Sequence, residues 1–454
     1  MNRHQEYLDL LAQLDTLPKG LETTVDRAMA RKRASRKRAR ILGIPAGSLA
    51  ACFAAFVLVV NASPAVAYAC GGVPLLRELA KAVAWSPSLS AAVENEYVQP
   101  MGLTQTKNGV TATIEYLIVD QKQVNIFYTL RGDFADLSGR KVSFSPDQHC
   151  AVSYGGSPNP PGTVQSITMD YVDEDVPEGF SVTIGVESRD RLENEAPTHS
   201  VQEEMLRPSE EPEPDILAEF TFDLTFDPSY TAVGEVIPVG KTIEMDGQHI
   251  TVTEAEVYPT HVRINVADHG ENTAWLKGLE FYLENERGQK FEPISNGITA
   301  TGSDDTHSYV SYRLESTYFA RSRHLTLHIT GAEWLDKARE TVRMDLESLT
   351  ADFLPEGVEF KSAEEHADGW LLQFRTRKRE EDHTHQVFYM TFLDAAGEEH
   401  DMRSRSSYTD YEDTSYEYFI EELPLPGYHE TEVWLKPTYT HTTMEETPIT
   451  ILIK

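Results

Sequence analysis

Between Ile41 and Val60 the chain reads ILGIPAGSLAACFAAFVLVV, without one charged side chain, and no other feature limits its architecture so strongly. Twenty helical residues reach about 30 Å, the thickness of a bilayer's hydrocarbon core. Directly before the run stands RKRASRKRAR, Arg31–Arg40. Lys and Arg clustered beside a span stay on the cytoplasmic side. The expectation is one transmembrane helix over 41–60, with residues 1–40 in the cytoplasm and everything after Val60 outside, in the cell membrane. Charge follows the same division. The 454 residues carry a formal net charge of −33, from 73 acidic and 40 basic side chains, yet residues 1–40 hold ten of the basic ones against five acids. The acidic excess therefore belongs to the outer region, where it favours solubility and repels nucleic acid and anionic surfaces.

Three other readings compete for this segment. Ala65-Val66-Ala67 and Ala67-Tyr68-Ala69 imitate signal-peptide cleavage sites, but a 40-residue leader and a 20-residue apolar run are both too long for one. Leu49-Ala50-Ala51-Cys52 imitates a lipoprotein acylation site, yet apolar residues follow Cys52 where a polar tether belongs. The basic run lacks the interleaved aromatics of a nucleic-acid interface, so no direct nucleic-acid contact is expected. Past the span only Cys70 and Cys150 remain, a pair that permits a disulfide in an oxidising compartment but builds no disulfide framework.

Residues 1–30 read as two short helices. Tyr7, Leu10, Leu11 and Leu14 recur at helical spacing, and after Pro18 so do Leu21, Val25 and Met29. Two apolar stripes on thirty residues cannot bury one another in a core of their own, so these seven side chains are the candidate partner-binding residues. The alternative is an amphipathic segment lying on the membrane. After the span, Val73–Ala84 and Ser88–Val93 read as helices parted by Pro87, with Leu75, Leu76, Leu79 and Val83 on one face. They form a juxtamembrane collar over 61–97.

From Val98 the period changes to that of strands. Asn108-Gly109 is a type I′ hairpin signal. Val110, Ala112, Ile114, Tyr116 and Ile118 then alternate towards one face, followed by Val124, Ile126, Tyr128 and Leu130. Asp246-Gly247 opens a similar unit with Ile250, Val252, Ala255 and Val257, then Val262, Ile264 and Val266. Phe281–Phe291 and Thr391–Asp401 each read as strand, acidic turn with Gly, strand. Ala332–Leu346 looks helical. Arg191–Asp215, rich in Glu and Pro, reads as a solvated loop. The expected fold is mainly β, with serial Ig-like β-sandwich modules at 98–230, 231–347 and 348–454.

Chemistry is sparse. The chain has no G-x-S-x-G, H-E-x-x-H, Walker or Rossmann pattern and no CxxC pair, so an enzyme is not expected, nor a cofactor. His383 and His385 would share a face of a strand, a spacing that an acidic hairpin also produces by chance. Tyr408–Tyr418 combines four tyrosines with four acids; it could stack on sugars, but a charge-protected exposed strand looks the same.

The basic run, the span, Ser63-Pro64-Ala65-Val66-Ala67, the collar, Ala92-Val93-Glu94-Asn95-Glu96-Tyr97-Val98-Gln99-Pro100 and Thr106-Lys107-Asn108-Gly109-Val110 resemble a family of single-pass membrane proteins of Gram-positive bacteria that are anti-sigma-factor-like, negative effectors of extracytoplasmic-function sigma factors. Leu354-Pro355-Glu356-Gly357-Val358 and Asp368-Gly369-Trp370 are similar to the tail of such proteins. The resemblance implies a cytoplasmic segment that holds a sigma factor until an outside event releases it. One departure matters: zinc-type anti-sigma domains carry His-x-x-x-Cys-x-x-Cys, whereas this N-terminus has only His4 and no cysteine. Any sigma contact would be made by the bare helices. The competing function is a cell-surface stalk whose sandwiches bind wall glycan or an envelope protein.

Overall fold

The computed structural model describes residues 73–132, 142–154, 162–171, 174–187, 205–206, 216–227, 233–294, 300–302, 309–378, 386–402, 404–411, 415 and 417–454. Within them the chain is mainly β, with six antiparallel sheets and two collar helices, α1 (Val73–Ala82) and α2 (Pro87–Glu94). Among the described residues no helix is long and apolar enough to cross a membrane. Ile41–Val60 and residues 1–30, with their two apolar stripes, lie outside the described residues, as does most of Arg191–Asp215. Within that last stretch Leu206 is buried.

The first β unit sets a sheet ordered Gln99–Lys107, Val110–Val119, Gln123–Gly132, Gln165–Asp170, Ala151–Tyr154 against one ordered Val142–Pro146, Gly179–Glu187, Ile216–Thr225. Asn108 and Gly109 take φ of 49° and 77°, the positive pair that a type I′ turn requires. The alternation expected along the second strand does not continue to its end. The register with the next strand shifts between Ile114 and Tyr116. Val110, Ala112 and Ile114 face the sandwich core, and beyond the shift Leu117 and Val119 take over. Tyr116 and Ile118 turn to the opposite face, where with Phe127 they pack against Leu79 and Val83 of the collar and Leu89 and Val93 of α2. One extra residue in a strand exchanges its two faces, and here the exchange makes the seat for the collar. Ser86 caps α2, its hydroxyl accepting from the Leu89 N–H at 3.3 Å, and Pro87 takes the first helical position.

The second unit repeats the plan. One sheet runs Ala300–Gly302, Tyr309–Leu314, Val262–Asp268, Gln248–Val257, Glu235–Met245; the other runs Lys290–Phe291, Ala274–Asn285, Leu325–Asp336, His441–Leu452. Asp246 and Gly247 turn at φ of 52° and 70°. Two differences from the sequence reading appear here. The helix-like stretch Ala332–Leu346 is the end of one strand, a turn over 337–341 and a second strand: Ala332 and Trp334 are buried in the sheet's core, and Val342–Asp345 begins the third unit. Tertiary burial of alternate side chains overrides local helical preference. And the last strand, instead of staying with the residues that precede it, returns to pair with Leu325–Asp336, placing Ile451 and Ile453 in the second core.

The third unit, two sheets around Trp370, Leu372, Phe374, Phe388, Leu423 and Leu435, is thus inserted between the last two strands of the second. Its hairpin at Thr391–Asp401 turns at Gly397 with φ 80°.

Candidate functional site

Where α2, the first unit and the second unit meet, six charged or titratable side chains are shut away from water. Asp120, Asp170, His261, Arg263 and Arg313 are each at most 2% exposed, and Glu315 8%. A buried charge is costly unless it is paired and hydrogen-bonded, and each of these is engaged.

Asp120 follows directly on the strand Val110–Val119. Its Oδ1 accepts the backbone N–H groups of Lys122 and Gln123 at 3.0 and 2.9 Å, closing its own turn. Its Oδ2 accepts the N–H and hydroxyl of Thr260 in the second unit, at 3.1 and 2.5 Å. The Thr260 hydroxyl, having donated there, lies 2.9 Å from His261 Nδ1, and Arg263 Nε donates to His261 Nε2 at 3.0 Å. These partners fix the neutral imidazole with its proton on Nδ1. Burial, then the neighbouring Arg263 and Arg313, hold the His261 pKa well below its ordinary 6.5. A directed chain of hydrogen bonds therefore runs Arg263, His261, Thr260, Asp120.

Asp170 ends the strand Gln165–Asp170. Its Oδ1 accepts from Arg263 Nη2 at 2.9 Å and stands 3.5 Å from Arg313 Nε. Arg263 Nη2 also donates to the Tyr171 carbonyl at 2.8 Å, and Arg313 Nη2 to Gln123 Oε1. Both guanidiniums come from neighbouring strands of the second unit and both reach into the first. Burial lowers the Arg313 pKa, against the pull of Asp170.

Glu315 extends the site to the collar. Its Oε2 accepts from the N–H of Ser88 at 2.7 Å, from the Ser88 hydroxyl, and from the Ser86 hydroxyl at 3.2 Å. Burial raises its pKa, opposed by these hydrogen bonds and by Arg313. Burial raises that of Asp120 likewise, opposed by Thr260 and the turn amides. The Tyr258 ring stacks on His261 with centroids 5.1 Å apart and covers Gly234, where a Cβ would come within 2.2 Å of Tyr258 Cε1. The space admits only glycine.

Such an arrangement holds bodies together; its chemistry is that of a latch. Sequence reasoning named none of its members, since Asp120, Asp170 and Glu315 are single acids in an acidic chain. The one available signal was Arg263 and Arg313, long cations set among Val262, Ile264 and Val266 on one strand and Val310, Tyr312 and Leu314 on the other. The expected partner-binding residues Tyr7, Leu10, Leu11, Leu14, Leu21, Val25 and Met29 lie outside the described residues, and so do His383, His385, Cys52 and Cys70. Cys150 is a half-buried free thiol, its pKa pushed up to about 11 by burial. In the Tyr408–Tyr418 stretch Tyr408 and Tyr411 are 39% and 75% exposed. Asp394, Glu398 and His400 offer ligand atoms within 4.8 Å of one another. Asp394 Oδ1 there accepts the N–H groups of Ala396 and Glu398 at 2.9 and 2.8 Å, so this carboxylate shapes a turn.

Residues 37–132 match a "Domain of unknown function (DUF4179)" and residues 234–356 a "Family of unknown function (DUF5643)". No curated protein matches the chain. Among solved structures it is similar to a conserved domain protein from Bacillus anthracis, with 15% identity and a TM-score of 0.39 over 59% of this chain and 82% of that one. Domains 1–6 of the surface layer protein SbsC give 8% identity and a TM-score of 0.12, over 74% and 52%.

Proposed function

We propose that this chain is a membrane-anchored regulatory protein: an anti-sigma factor that sequesters an extracytoplasmic-function sigma factor through residues 1–30 and senses or gates an envelope signal through its β units outside the membrane. The observation that carries the reading is the latch at Glu315. The second collar helix, α2, is bound by hydrogen bonds to the second unit and, together with Leu79 of α1, by apolar packing to the first. An event that moves one β unit against the other therefore acts on the collar, and through it on the chain leading back to the span. The match of residues 37–132 supports the same reading, since DUF4179 is found in anti-sigma-factor-like membrane proteins.

The test is made on the cytoplasmic side. Leu10→Asp with Leu14→Asp removes two apolar anchors, each worth roughly 1.5–3 kcal/mol when buried, and should weaken sigma-factor capture by orders of magnitude. The regulon should then be transcribed without an outside signal while the protein stays in the membrane at its normal level. Unchanged transcription at that level would refute the reading and favour a surface stalk that binds wall glycan or an envelope protein.

A further inference from the structure

In a chain of net charge −33, the loop Thr317–His324 reads TYFARSRH and contains no acid. Its chemistry points outward. Arg321, Arg323 and His324 are exposed, and Tyr318 is 37% exposed. Neither guanidinium has a carboxylate partner among the described residues. The backbone beneath them is fixed. Glu286 Oε2 accepts the N–H groups of Arg323 and His324 at 3.1 and 3.3 Å, Asn285 Nδ2 donates to Ser322 Oγ at 3.2 Å, and Arg321 turns the chain at φ 49°. The Glu286 carboxylate, also 3.8 Å from Arg287 Nε, is thus engaged from below.

This loop is tied to the collar. It begins two residues after Glu315, which holds Ser86 and Ser88; the Ser316 N–H donates to Ser88 Oγ at 2.5 Å. Phe319 meets the Tyr97 ring edge-on with centroids 6.0 Å apart. Between α1 and α2, immediately before Ser86, Trp85 is 44% exposed.

We propose that Trp85, Tyr318, Arg321 and Arg323 form a docking surface for the anionic headgroups of the bilayer that anchors the chain. The proposal rests on the membrane-anchor reading above, and two observations select this occupant. Residues 61–72, which join the apolar run to α1, reach at most about 40 Å when fully extended, so the collar and its attached loop are the part of the β region nearest the bilayer. The charge is complementary there, since the loop carries two arginines and no acid in a chain of net charge −33. An acidic body is repelled by an anionic surface, whereas arginines close to it each favour the bound state by about fivefold. Half-exposed Trp and Tyr suit the headgroup zone, with the ring in the apolar boundary and the polar edge wet. Docking would give the second unit a fixed posture on the membrane, from which an outside event can lift it.

The test uses the full chain in nanodiscs of brominated phosphatidylglycerol or brominated phosphatidylcholine, and reads tryptophan quenching. The difference between wild type and Trp85→Phe isolates Trp85. Strong Trp85 quenching is expected in phosphatidylglycerol, with the docked-to-undocked ratio lowered about fivefold or more by each of Arg321→Glu and Arg323→Glu. High salt should lower it in the unmutated chain, as screening shortens. An inserted chain, resistant to carbonate extraction, whose Trp85 is unquenched overturns the docking alone. Equal quenching in both lipids, unmoved by salt and by the charge reversals, overturns it too. A chain that carbonate extracts overturns the membrane-anchor reading and the docking with it.

Discussion

Asp120 Oδ2 accepts both the backbone N–H and the hydroxyl of Thr260, 140 residues further along the chain, while the other oxygen of the same carboxylate holds the turn from which Asp120 projects. One side chain thus ends a strand of the first unit and stitches it to the second. The surrounding charges turn the stitch into a latch, and its consequences can be measured.

Removing one member of a buried ion network leaves the others unpaired. Arg263→Met strips Asp170 Oδ1 of its 2.9 Å donor and His261 Nε2 of its own. The expected loss is roughly 3–5 kcal/mol, seen in calorimetry as a lowered transition for the first two units. An unshifted transition would show that the network does not hold them.

His261 gives the stability a pH dependence of known sign. Its folded pKa is depressed below 6.5, so as pH falls through the unfolded value the unfolded chain takes up a proton that the folded one refuses. Stability is then lost with acidification, by at most about 1.4 kcal/mol per pH unit. Asp120 and Glu315, whose folded values are raised, act oppositely above their ordinary range. They are common to wild type and His261→Asn, so subtracting the two unfolding curves between about pH 4.5 and 7 isolates the histidine. Parallel curves would refute its burial as a neutral ring.

Glu315→Leu leaves Ser86 and Ser88 without their shared acceptor. Hydrogen exchange in α2 (Pro87–Glu94) should accelerate while the strand Val110–Val119 stays protected, as local opening follows the least-supported contacts. Unaltered protection of α2 would mean that its apolar seat alone secures the collar.

Truncation after Thr440 tests the inserted arrangement. It removes the edge strand His441–Leu452 and takes Ile451 and Ile453 from the second core, roughly 1.5–3 kcal/mol of burial each. Limited proteolysis should then cut within 234–336, with a fragment around 342–437 surviving. Cleavage confined to the third unit would contradict the strand exchange.

Much of the local structure was legible beforehand. Asn108-Gly109 and Asp246-Gly247 announced their hairpins because few residues tolerate positive φ at both turn positions. Ser88–Val93 was legible as a helix, while Pro87, read as the break before it, is its first residue, capped by the Ser86 hydroxyl. The alternation from Val110 was readable only as far as Ile114. Nothing local in Glu115-Tyr116 reveals that an extra residue is accommodated there, and Tyr116 and Ile118 were assigned to the wrong face.

The sequence by itself determined the hairpins from Val110 and Gln248, their tight turns and where the acidic excess lies, because backbone sterics and the two-residue period act between near neighbours, whereas it misread the strand ending at Asp336 as helix. Only the tertiary structure decided the latch and the insertion. Asp120 and Thr260, Glu315 and Ser88, Trp334 and His441 are brought together by folding across more than a hundred residues. A carboxylate destined for burial beside arginine is chemically identical, in the sequence, to the many acids that remain in water.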